Sequence, residues 1–115
     1  MTAITPTLAL VEELLEEARA ARAHRASRTV SGGRERAMRQ TLIALTAGAE
    51  LGEHESPGEA TLLVLAGEVV LRAGGDAWPL RTGDHIEIPR VRHSVHATAD
   101  AAFLLTAVPE ERGGA

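Results

Sequence analysis

The chain contains no cysteine. That excludes disulfides, thiolate chemistry, cysteine-ligated zinc and iron–sulfur clusters. Aromatic residues are nearly absent as well, with one Trp, one Phe and no Tyr in 115 residues. Val, Leu, Ile and Ala must therefore fill the core, which suits short β-branched strands packed closely. Lysine is missing, all twelve basic residues are arginine, and the formal net charge is −4. Nucleic-acid binding calls for a basic face, and the cluster Arg28, Arg34, Arg36 and Arg39 reads as a solvated, partly ion-paired surface. No apolar run reaches the length of a membrane span, and no basic segment followed by an apolar run marks a secretory leader. The expectation is a cytoplasmic protein with neither nucleic acid nor membrane as partner. Also absent are alternating strand–helix units, a phosphate-cradling glycine loop and a repeat of solenoid length.

What is present suits one domain. Apolar residues make up 44% and charged residues 24%, the balance of an ordinary soluble protein. Residues Thr7 to about Ala26 read as a helix, with Thr5 as cap and Pro6 at the first helical position. Leu8, Val11, Leu15 and Ala18 follow helical spacing, and Leu14 widens the stripe. Early glutamates and late arginines complement the helix dipole. Such a helix packs on its own domain or on a second subunit. Ser31-Gly32-Gly33 then opens a loop, and the period changes.

From Gln40 onward the chain reads as strands and turns. Thr41–Thr46, Ala60–Ala66, Glu68–Arg72, His85–Ile88, His93–Ala97 and Ala101–Val108 are the strands, punctuated by Gly48, Gly67, Gly74-Gly75, Gly83 and Pro89. Trp78-Pro79-Leu80 is edge-like, because proline cannot donate to a ladder. The tail 110–115 reads as disordered. The organisation is thus 1–39 helix and linker, 40–108 β domain, 109–115 tail. Close-spaced strands with glycine turns point to an all-β sandwich or barrel.

Two histidines, His54 and His93, stand where strands begin. A barrel brings those strands side by side and aims both imidazoles at a shared interior. The spacing Gly48, His54, Ser56, Ala60, Gly67 and then Gly83, Pro89, His93, Ala97 resembles the two motifs of the cupin superfamily, in its small single-domain members. The resemblance covers about residues 40–108, with fifteen residues between the motifs. It implies a cupin-type jelly-roll β-barrel with one N-terminal α-helix, commonly assembled as a homodimer. An exposed barrel edge and an amphipathic helix point the same way.

The departures matter for function. The resemblance carries two metal ligands over to His54 and His93. Ser56 replaces the second histidine of the first motif and Ala60 its glutamate. Arg90-Val91-Arg92 is one residue short and lacks the expected glycine, and Ala97 replaces an asparagine. In an unbroken strand 54, 56, 58 and 60 share a face and Glu59 points outward. A bulge at Pro57-Gly58 shifts the phase, and Glu59 then completes two histidines plus one carboxylate, a set that suits a divalent Fe, Mn, Ni or Zn ion. Glu53 and Glu55 are read as solvated, His96 as facing away from His93, and His85 and His24 as surface residues.

Three functions follow. A small organic ligand is held in the barrel by His54, Ser56 and His93. Alternatively, His54, His93 and Glu59 hold a metal in an enzyme of dioxygenase or isomerase type. In the third, the barrel is a metal-free regulatory or assembly module. A Ser-based triad lacks an orienting acid.

Overall fold

A computed structural model describes residues 2–55 and 58–109. Helix α1 (Thr7–Ala20) is followed by nine strands: β1 (Arg25–Ser31), β2 (Arg39–Leu45), β3 (Glu50–His54), β4 (Gly58–Ala66), β5 (Glu68–Ala73), β6 (Asp76–Arg81), β7 (His85–Glu87), β8 (His93–Ala97) and β9 (Ala101–Pro109). They form two antiparallel sheets, one ordered β1-β2-β9-β4-β7 and the other β3-β8-β5-β6.

The sheets face each other as a jelly-roll-like sandwich rather than the closed barrel expected. Among the described residues no ladder joins β1 to β3 or β6 to β7, so each sheet keeps two edges. Proline at position 79 sits on β6, an edge strand, as its missing N–H requires.

Period-two alternation builds the core between the sheets. Ile43 and Leu45 of β2, Leu62 and Val64 of β4 and Phe103 of β9 meet Val69 and Leu71 of β5 and Val95 and Ala97 of β8. The other face of the five-stranded sheet is buried too. There Leu42, Ala44 and Ala102 pack under Leu10, Val11, Leu14 and Ala18 of α1. Burial on both faces explains why Thr41–Leu45 and Ala101–Leu105 read as unbroken apolar runs without alternation.

The N-terminal expectations are corrected. The helix ends at Ala20 rather than near Ala26, and its buried stripe runs through Leu10, Val11, Leu14 and Ala18, leaving Leu8 exposed. Its N-cap is Pro6, with no side-chain cap. Residues 25–31, read as helix end and linker, form an edge strand paired with β2 from Arg25↔Leu45 to Ser31↔Gln40. Ala21-Arg22-Ala23 carries no breaker, so local propensity favours helix there, and pairing with β2 overrides it. His24 makes the turn at φ 60°, and its carbonyl accepts from the Thr46 N–H at 3.1 Å. The five-stranded sheet therefore includes residues read as helix end and linker. No helix among the described residues is long and apolar enough to cross a membrane. The tail 110–115 lies outside the described residues.

The end of the sandwich remote from the histidines is tied by one carboxylate. Asp100 accepts from the Ala47 N–H at 2.9 Å and from Arg19 Nε at 3.1 Å. These bonds, the backbone one first, hold its pKa below the usual carboxylate range. Because the folded pKa is depressed, this stabilisation is present above about pH 4 and is lost as pH falls below that value. Asp100→Asn should lower stability at pH 7 by about 0.5 kcal/mol, the scale of a partly exposed ion pair. Urea melts at pH 7 and near pH 2.5 test this: the difference should close at the lower pH, and a gap that persists would refute the assignment.

Beside it, Gly67 turns β4 into β5 at φ 75°. A Cβ there would collide with the Asp100 carbonyl oxygen and lie 2.8 Å from Ala101 Cα. Gly48, at φ 90°, has open space around the same position. Gly48→Ala should cost about 1–2 kcal/mol for left-handed backbone alone. Gly67→Ala, which adds a collision with main chain, should cost more than about 3 kcal/mol. Equal losses in chemical denaturation would show that the close approach is relieved by movement.

Candidate functional site

The two histidines come from opposite strand ends. His54 closes β3 rather than opening a strand, and His93 opens β8. Short links fix which end of the sandwich they occupy. His54 lies four positions before Gly58 of β4, and His93 follows Ile88, whose N–H reaches the Ala60 carbonyl at 2.9 Å. Both imidazoles are thus held at the end where β4 starts.

The register of β3 on β8 decides which way His54 faces. Leu51 pairs with Val95 and His54 with His93, so Gly52 and Glu53 together oppose Ser94 alone. This is a β-bulge, and one extra residue reverses the side-chain phase. Val95 and His93 are buried against the other sheet. Without the bulge Glu53 would share their face. With it, His54 does, and Glu53 goes to solvent. A bulge was anticipated at Pro57-Gly58, of which Pro57 lies outside the described residues; the one seen lies earlier and acts on His54.

The rings stand with centroids 4.4 Å apart and planes at 64°, edge to face. His93 is 3% exposed, whereas His54 is half-buried. Each ring makes the same hydrogen bond. His54 Nδ1 donates to the Gly52 carbonyl at 2.8 Å, and His93 Nδ1 donates to the Val91 carbonyl at 3.0 Å. A carbonyl oxygen only accepts, so each Nδ1 carries the proton in the neutral ring, and each Nε2 keeps its lone pair. The backbone thus prepares two acceptors side by side. Among the described residues no hydrogen bond to either Nε2 is present.

Glu59 is not brought to this pair. Its side chain is 78% exposed and lies 3.8 Å from Arg90. Gly58, Ala60, Leu62 and Val64 take the inward phase of β4, and no phase shift turns Glu59 toward them. Ser56 lies outside the described residues. Ala60 is buried among apolar neighbours. Among the described residues no three His, Asp or Glu side chains come together as a metal-binding group. Two imidazoles fall short of the three or four ligands that a resident ion generally takes, so the donors present do not fit one.

The remaining residues fall mostly as read. Glu53 and Glu55 are exposed and share the Arg92 guanidinium at 3.4 and 3.0 Å. Those bonds, Glu55 first, raise the Arg92 pKa above its ordinary value. His96 turns to the outer face of its sheet, with Nδ1 3.5 Å from Glu50 Oε1 but not aligned for a hydrogen bond. His85 and His24 are exposed. What went unread is the Arg92 fork, whose signal was the charge order Glu53-His54-Glu55 against Arg92-His93 on strands that pair.

The packing grades along the sandwich. Leu45, Val64, Ala97, Ala101 and Phe103, at the end remote from the histidines, are fully buried. Thr41, Leu105 and Ala107, which share the inward phase nearer the histidine end, are only partly buried. Ala60 stands opposite Ala107 in the ladder, so the inward side chains at that end are small. Residues 41–109 match the family model described as the cupin domain. The chain belongs to the cupin family.

Solved cupin structures share its fold. A conserved protein of unknown function from Streptococcus pyogenes is 26% identical, covers 79% of each chain and superposes with a TM-score of 0.70. An RmlC-like cupin from Desulfovibrio desulfuricans is 26% identical over 74% of this chain and 82% of its own, with a TM-score of 0.65. A salicylate 1,2-dioxygenase from Pseudaminobacter salicylatoxidans has a TM-score of 0.73 over 87% of this chain and 33% of its own. At 18% identity that likeness concerns fold alone. No curated protein matches the chain.

The tautomer assignment is directly testable. In ¹H–¹⁵N correlation spectra at a pH where both rings are neutral, His54 and His93 should both show protonated Nδ1 and bare Nε2. An Nε2–H signature on either ring would overturn the arrangement.

Proposed function

We propose that this cupin domain binds a small organic molecule at its histidine-bearing end, using the Nε2 atoms of His54 and His93 as paired acceptors. The observation that supports this is the matched bonding of the two rings: both Nδ1 protons are consumed by main chain, and among the described residues neither Nε2 has a partner. Ser56, two positions after His54 in the sequence, belongs to the same proposal as a further hydroxyl. A pocket with apolar walls and a few convergent polar groups is the usual form of a small-molecule site. Ala60, Ala107 and Leu105 supply the walls, and the imidazoles supply the orientation.

The chemistry of such a pair selects its guests. Neutral Nε2 accepts a hydrogen bond, so ligands that donate from a phenol, an enol or a sugar hydroxyl are favoured over pure acceptors. A neutral imidazole beside an acidic hydroxyl also serves as a base. That would make proton transfer to or from a bound ligand the simplest reaction available. The metal-dependent alternative has less support, since Glu59 is turned away and Ala60 offers no donor.

Two measurements test the reading. A thermal-shift screen of phenols, enolisable carbonyl compounds and sugars should find ligands that stabilise the protein. At a hundredfold excess over Kd the stabilisation is about 2.7 kcal/mol, and His54→Ala or His93→Ala should abolish it. Elemental analysis of untagged protein should find well below one divalent ion per chain. Stoichiometric metal that disappears in both alanine variants would instead establish the metal site, and stabilisation unchanged by both variants would place the ligand elsewhere.

A further inference from the structure

Each sheet of the sandwich has two edges, and three of the four are blunted against pairing with another chain. Strand β7 is only three residues long. Strand β6 carries Pro79, which cannot donate. Strand β3 has five residues and is bent by its bulge. Strand β1 is the exception over most of its length. It runs seven residues with no proline or glycine, and its pairing with β2 is regular from Arg25 to Thr29, the irregularity falling between Thr29 and Ser31. Among the described residues its other side pairs with no strand. The surface beside this edge is open as well. A cleft of about 410 Å³ between β1 and β3 is lined by Arg25, Ala26, Ser27, Ile43 and Leu51. Ile43 belongs to the inter-sheet core and Leu51 packs against it. A further strand on β1 would extend the five-stranded sheet over that opening.

The residue order of β1 fits a second copy of itself. Two identical edges pair antiparallel about a two-fold axis, and opposed residues must share a face. Ala26 and Arg28 take the helix side of the sheet, opposite Ala44 and Leu42, while Arg25, Ser27 and Thr29 take the inter-sheet side, opposite Leu45, Ile43 and Thr41. An axis through Ser27 uses the whole regular stretch. Ser27 then meets its own copy, Ala26 meets Arg28, and Arg25 meets Thr29, so no like charges stand opposite. An axis through Arg28 would set guanidinium against guanidinium and draw the irregular end at Val30 into the ladder. An axis through Ala26 would pair only Arg25, Ala26 and Ser27. With the axis at Ser27 the two Arg28 side chains approach on the diagonal, roughly 7–8 Å apart, and each is already held by Glu17 at 2.7 Å. Two guanidiniums and two carboxylates then meet around the axis. A second copy supplies that charge complementarity, and a neutral peptide does not.

We infer that β1 is the self-association edge of this protein: two copies join through it about an axis at Ser27, and their five-stranded sheets become one. The arginines that repel chance registers are the same residues that fit this one, which gives the pairing its specificity. The surface lies apart from the histidine pair and does not depend on what that pair binds.

Ser27 is exposed in the single chain, so a charge there is compatible with the fold, but in the pair it lies against itself. Ser27→Asp and Ser27→Lys should each weaken self-association about fivefold, the scale of like charges directly opposed in a ladder, as read by sedimentation equilibrium. Mixed together, the two variants should form a heterodimer in excess of its statistical share, because aspartate then faces lysine. Native mass spectrometry resolves the three dimers by mass, and the rescue itself shows that both variants are folded. Wild-type protein that stays monomeric at every concentration would overturn the inference. Variants that associate as tightly as wild type would place the contact on another surface and overturn it too. Weakened variants whose mixture gives only the statistical share would refute the axis at Ser27.

Discussion

In a β-strand, a side chain faces in or out by its place in the count, so one residue gained or lost reverses everything beyond it. The bulge in β3 is such a gain. Gly52 and Glu53 together oppose Ser94, and His54 arrives on the inner face against His93. In regular pairing Glu53 would be driven between the sheets, where an ionised carboxylate is costly without a partner. The same phase change puts both Glu53 and Glu55 within reach of Arg92 outside the ladder. The paired imidazoles inside and the charge fork outside are consequences of one irregularity.

Much of the fold was legible because glycine and proline mark its corners. Gly67 stands where β4 turns into β5 with the main chain of Asp100 against it, a place no side chain fits. His93–Ala97 was bounded correctly because a proline and two arginines precede it and polar residues follow. The failures share a cause. Strand β1 reads Arg-Ala-Ser-Arg-Thr-Val-Ser, an exposed edge whose few apolar residues give no clear period, and it follows three good helix formers. Its pairing with β2 is a tertiary fact. Leu8 and Leu10 are equally apolar in sequence, and only the direction of the helix over Leu42, Ala44 and Ala102 distinguishes them.

For the site, the histidine pair was legible and its phase was not. Counting by twos from His54 places 56, 58 and 60 on its face, but that count treats β3 and β4 as one strand. The structure has two strands, and the phase is set separately by β8 and by β9. Pro57 of the bulge proposed at Pro57-Gly58 lies outside the described residues, and Glu59 itself is exposed. Glu59 pairs with Val108 on the outer side of its sheet.

Ala60 bears on what the site can do. A carboxylate at that position would face the imidazoles across the gap between the sheets and favour their charged forms. Alanine removes that charge and leaves a methyl packed with Ile88 and Ala107 in the inter-sheet core. The two rings are then left with main-chain carbonyls as their only polar partners among the described residues. A carbonyl fixes the tautomer and orients each ring. Binding a neutral donor such as a phenol matches that environment, because the hydrogen bond forms without separating charge in a half-buried place.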